Sequence, residues 1–127
     1  MVKQLLRYMR YNLFMLRVSV LMPCYNAAST LEEAIESILA QSMPDFELVV
    51  VDDGSTDRTY AILQEWAQRD FRIKVVRQPH IGIVQALNFG LEYCQAPSIA
   101  RMDADDFSLP QRLEMQANLL DENPAID

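Results

Sequence analysis

Four short apolar runs alternate with four segments of helical spacing, and few folds accept that order. Val18–Met22, Phe46–Val51, Ile73–Val76 and Ser98–Met102 read as strands. Leu31, Ala34, Ile35, Ile38 and Leu39 keep helical spacing after the first run, and Ser29-Thr30-Leu31-Glu32 fits a capping box. After the second run, Asp57 is placed to cap a helix bearing Tyr60, Leu63, Trp66 and Ala67. A third helix is expected from Ile83 to Cys94, and a fourth with Pro110 in its first turn and Leu113, Leu119 and Leu120 along it. Such alternation predicts an α/β fold: a mainly parallel sheet with helices on both faces and right-handed crossovers. The chain has 127 residues, enough for one domain with a sizeable core.

Residues 1–16 stand apart. Leu5, Leu6, Met9, Leu13 and Leu16 fall near one helical face, and Lys3, Arg7 and Arg10 lie on the other. This basic leader helix suits either a peripheral contact with an anionic membrane or packing against the body, which spans residues 17–127. Charges interrupt it too often for a secretory signal, and no apolar run approaches the roughly 20 residues of a membrane span.

Charge narrows the partners. The formal net charge is −7, and the first 17 residues hold four basic groups and no acid, leaving −11 on the rest. An acidic body argues against nucleic acid, which needs a basic surface. The two cysteines, Cys24 and Cys94, make no disulfide framework and suit a reducing, cytoplasmic compartment. One histidine, His80, excludes a His-rich zinc site.

Ligands of an open parallel sheet bind outside the carboxyl ends of its strands. Pro23-Cys24-Tyr25-Asn26 follows the first strand, Asp52-Asp53-Gly54-Ser55-Thr56-Asp57 the second, and Asp103-Ala104-Asp105-Asp106 the fourth. Six acids in two of these loops call for a cation, a shared proton or exposure to water. Asp103 and Asp105, two apart in an extended segment, point the same way. Their oxygens suit Mg²⁺ or Mn²⁺, ions that share their shell with substrate phosphates. Tyr25 offers a face for a nucleobase, and Asp53 an acceptor for a base N–H. Solvated turns and helix caps are the plainer alternative for each acid. No dinucleotide fingerprint or P-loop is present. An EF-hand reading from Asp103 fails at Ser108 and Pro110. A phosphatase nucleophile at Asp103 or Asp105 is disfavoured by Phe107.

Together these segments resemble the family-2 glycosyltransferases of the GT-A fold. The resembling blocks are Val18-Ser-Val-Leu-Met-Pro-Cys-Tyr-Asn26, Glu47-Leu-Val-Val-Val-Asp-Asp-Gly-Ser-Thr-Asp57, Gly82-Ile-Val-Gln-Ala-Leu-Asn-Phe-Gly90, and Ile99-Ala-Arg-Met-Asp-Ala-Asp-Asp106 with Leu109-Pro110-Gln-Arg-Leu113. The resemblance implies inverting, metal-dependent transfer of a sugar from a nucleotide-sugar, most often UDP-linked, to a saccharide or lipid-linked acceptor hydroxyl. It implies nucleotide contacts from Pro23, Tyr25, Asn26, Asp52, Asp53 and Asp103, with Tyr25 stacked on the base. It implies Mg²⁺ or Mn²⁺ on Asp105 and Asp103. The family's catalytic base, an Asp in an acceptor-binding half, is expected beyond Asp127. Leu87 stands where many members have Arg, and Ala96-Pro97 replaces a common glycine turn. The rival expectation is a non-catalytic α/β module that self-associates, as a homodimer, through apolar surface.

Overall fold

The computed structural model describes residues 2, 3, 16–123 and 125. The leader helix expected over residues 1–16 falls almost wholly outside them. The described elements run β1 (Val18–Cys24), α1 (Leu31–Leu39), β2 (Phe46–Asp52), α2 (Thr59–Arg69), β3 (Ile73–Arg77), α3 (Ile83–Leu91), β4 (Ser98–Arg101) and α4 (Arg112–Glu122). The strands form one sheet in the order β3-β2-β1-β4, every pair parallel. All four carboxyl ends therefore open on one edge, as the alternation predicts.

The two central strands, β1 and β2, are buried along their whole length. Their unbroken runs of Val, Leu and Met suit a sheet covered on both sides. One face carries α1, α2 and α4, packed through Leu31, Ile35, Ile38, Leu63 and Leu113 onto Val20, Met22, Leu48 and Val50. Full burial of each such side chain stabilises the fold by roughly 2 kcal/mol. The other face carries α3, which lays Ala86 against Leu21, Val49 and Val51. Glu47, the second residue of β2, is 2% exposed yet not isolated. It accepts from Ser19 Oγ and Gln95 N and pairs with Lys74 Nζ at 2.8 Å, which ties β1, β2 and β3 together.

Several boundaries differ from expectation, each for a local reason. β1 and β2 extend to Cys24 and Asp52 because those residues pair with each other. α3 stops at Leu91, and Tyr93 and Cys94 close it with tighter bonds to Gly90 and Leu91. Pro110 lies before α4, whose N-cap is Gln111, and the proline carbonyl accepts from Ser42 N at 2.7 Å. No capping box forms on α1. Its N-cap is Thr30, whose hydroxyl donates to the Ala104 carbonyl at 2.9 Å and so joins the loops after β1 and β4. Both cysteines are free, and burial, aided by Asp52 and Asp57, pushes the Cys24 thiol up to about 12. Among the described residues, no helix is long and apolar enough to cross a membrane.

Candidate functional site

Two turns build the first half of the site. The loop after β1 begins with Tyr25 and with Asn26, whose φ of 49° is a left-handed value that Asn tolerates. Asn26 Oδ1 accepts from Thr56 N at 2.8 Å and Asp57 N at 3.3 Å, so it binds the two loops to each other. Asp57 caps α2 from one position outside, accepting from Thr59 N at 2.9 Å. Gly54 turns the chain after β2 with a φ of 70°.

Asp52 and Asp53 then diverge. Asp52 is fully buried, accepts from Ser55 N and pairs with Arg77 Nε at 3.1 Å. It braces the ends of β2 and β3. Asp53 is also buried, but beside a cleft of about 210 Å³ lined by Pro23, Tyr25, His80, Gly82 and Ile83. Its Oδ1 accepts from Gln78 Nε2 at 2.8 Å and Ile81 N at 2.9 Å. Its Oδ2 accepts from Gly82 N at 3.1 Å and His80 Nδ1 at 3.0 Å. Carboxylate and carbonyl oxygens only accept, so that imidazole nitrogen carries the proton. The His80 ring stacks on Tyr25 with centroids 3.9 Å apart and planes 21° from parallel.

Burial alone would raise the Asp53 pKa, but the donors, led by Gln78, outweigh it and hold the carboxyl below its ordinary 3.8. A depressed folded-state value contributes stability that is present above the unfolded value and lost as pH falls through the folded one. Asp53→Asn is therefore expected to be less stable than wild type near neutrality, with the gap closing as pH falls from about 5 through the lowered folded-state value. Urea unfolding across that range is the measurement, and a constant gap would contradict the assignment.

The second half of the site lies after β4. Met102 and Ala104 turn inward, while Asp103, Asp105 and Asp106 are exposed. One oxygen from each of the three lies within 4.8 Å of the others. Asp103 N donates to Asp106 Oδ2 at 2.9 Å, and Arg101 Nη2 reaches Asp103 Oδ1 at 3.3 Å. An oxygen-only, water-accessible set of this size fits a hard divalent cation. Of the six acids, then, Asp52, Asp53 and Asp57 are satisfied by donors of the chain itself, and the other three are gathered with one arginine. Asp106, one of the six acids but not one of the two expected ligands, joins Asp103 and Asp105, and Gln78 and His80 join the site unforeseen. For the latter two the signal was available, since the loop after β3 opens on the same edge as the others.

Residues 19–127 match the family described as glycosyl transferase family 2. An uncharacterized glycosyltransferase of Haemophilus influenzae is 38% identical over 110 residues, covering 86% of this chain and 34% of that one. Among solved structures, S. aureus TarS 1–349 in complex with UDP superposes with a TM-score of 0.79 at 29% identity, over 86% of this chain and 33% of that one. The mannosyltransferase PcManGT from Pyrobaculum calidifontis, in complex with GDP-Man and Mn²⁺, gives 0.72 at 28% identity, over 94% and 38%. The chain spans about a third of the length of the curated relatives it matches.

Proposed function

The chain belongs to glycosyl transferase family 2, and from that premise we propose that it forms the donor-binding part of an inverting transferase that uses a nucleotide-sugar and a divalent cation. One observation carries this reading. A cleft with an aromatic wall and a buried carboxylate opens on the same sheet edge as a cluster of three exposed carboxylates. The first suits a base, the second a metal-bound diphosphate. The UDP held by TarS and the GDP-Man and Mn²⁺ held by PcManGT support the same class of ligand.

Each residue then has a task. Tyr25 gives the base a stacking face, a contact worth roughly 1–3 kcal/mol in nucleic-acid complexes. Asp53 accepts from the base edge, and Pro23 forms the wall beside it. Asn26 holds Tyr25 by fastening its loop to residues 56 and 57. Asp103 lies toward the ribose, and Asp103, Asp105 and Asp106 hold the cation. When bound, that cation supplies Lewis-acid stabilisation of the departing diphosphate. In the transfer, the acceptor oxygen forms a bond to the anomeric carbon as the bond to the diphosphate oxygen breaks. The hydroxyl proton passes to a base assigned to no residue here, and in-line attack inverts the anomeric centre.

Calorimetry with UDP and Mn²⁺ tests the reading: heat of binding is expected, with affinity falling about tenfold or more in EDTA. A rival, self-association without catalysis, is favoured by Ile99 and Leu119, both about half exposed beside the groove between β4 and α4. Absence of nucleotide heat from folded protein would select the rival.

A further inference from the structure

We propose that His80 occupies the place of the nucleobase in the free protein and swings out when a base enters. The inference rests on the nucleotide-binding reading above and adds to it a gate and a rule of selectivity. A flat ring lies on Tyr25 with centroids 3.9 Å apart and donates an edge N–H to Asp53 at 3.0 Å. A base with a lactam N–H, uracil or guanine, would make those same two contacts. The slot does not hold both rings, because a stacked pair at this spacing leaves no room between its planes.

Asp53 gives the second reason. A carboxylate offers about four acceptor sites, and Gln78, His80, Ile81 and Gly82 fill them. A base N–H reaches Asp53 only by replacing one of these donors. Ile81 and Gly82 donate from the main chain, and Gln78 is buried. The His80 side chain, in contrast, is 55% exposed. The backbone that follows His80 is held by the Ile81 and Gly82 N–H groups on Asp53. Rotation about its χ1 therefore frees the slot without moving the loop.

Two consequences follow. Apparent affinity is lowered by the fraction of molecules whose slot is filled. Cytosine and adenine carry an acceptor at the ring nitrogen where uracil and guanine carry N–H, so they offer Asp53 only an exocyclic amine in place of the donor that leaves.

His80 is the sole histidine of the sequence, so its imidazole proton signals are identified without assignment. In free protein they should be displaced by the Tyr25 ring, and either UDP with Mg²⁺ or Tyr25→Ala should return them to the position of an exposed imidazole. His80→Ala should bind UDP about three- to tenfold more tightly than wild type, with CDP bound weakly by both. UDP binding that leaves the signals unmoved would overturn the gate and leave the nucleotide site standing. Weaker binding by His80→Ala would also overturn it, making His80 a contact rather than an occupant. No UDP binding by either protein would remove the nucleotide site itself, and the gate with it.

Discussion

Asp105→Ala is expected to abolish the cation dependence of nucleotide binding while leaving the fold intact. Asp103, Asp105 and Asp106 gather their oxygens within 4.8 Å on an exposed loop. That crowding opposes itself in the free protein and favours a divalent cation. Removing the central carboxylate relieves repulsion and takes away one of three charged ligands. Loss of one charge-assisted contact amounts to roughly a tenfold or larger fall in UDP affinity with Mn²⁺ present. The variant's affinity should then equal that of wild type in EDTA. Thermal unfolding without metal should be unchanged or slightly later, because Asp105 is exposed on its loop. An unaltered response to Mn²⁺ would place the cation elsewhere.

The fold was legible because its signals are local. Runs such as Leu48-Val49-Val50-Val51 need no partner to be recognised, and Ile35 and Ile38 mark the inner face of α1 by spacing alone. The ends of elements were less legible, because tertiary contacts set them. Thr30 reads as part of a capping box, yet its hydroxyl bonds the Ala104 carbonyl, 74 residues away. The pairing of Cys24 with Asp52 lengthens two strands at once, and neither residue signals it alone.

Site residues divide in the same way. The exposed acids after β4 are visible as a pattern, and they stay exposed. Asp52 and Asp53 are neighbours with one side chain chemistry, and their fates depend on which face of the sheet edge each meets. Asp52 turns to Arg77, and Asp53 turns to the loop of His80. Period-2 alternation sends them apart, but it does not tell which one a ligand can reach. Glu47 carries no sequence mark of burial either; its donors come from Ser19, Lys74 and Gln95, all distant in the chain.

Gly54→Ala should be the most damaging small substitution, costing both stability and nucleotide binding. Its φ of 70° carries roughly 1–2 kcal/mol of strain for any residue with a Cβ. That Cβ would also lie 2.6 Å from His80 N and 3.2 Å from the Gln78 carbonyl. Both are backbone atoms, so the overlap is relieved only by moving the loop after β3, at roughly 1–3 kcal/mol more. Gly90→Ala provides the contrast. Its Cβ would overlap Leu21 Cδ1 and lie 2.8 Å from Val51 Cγ2, which are buried side-chain atoms rather than backbone. Repacking them costs roughly 1–3 kcal/mol, and alanine recovers about 0.5–1 kcal/mol of that over glycine within a helix. Urea unfolding should therefore place Gly54→Ala below Gly90→Ala by roughly 1–2 kcal/mol, the strain of its positive φ. The displaced loop also carries all four donors to Asp53 besides shaping the cleft, so UDP affinity should fall in Gly54→Ala and hold in Gly90→Ala. Equal stabilities, or an intact affinity in Gly54→Ala, would mean that the turn after β2 does not set the position of the loop after β3.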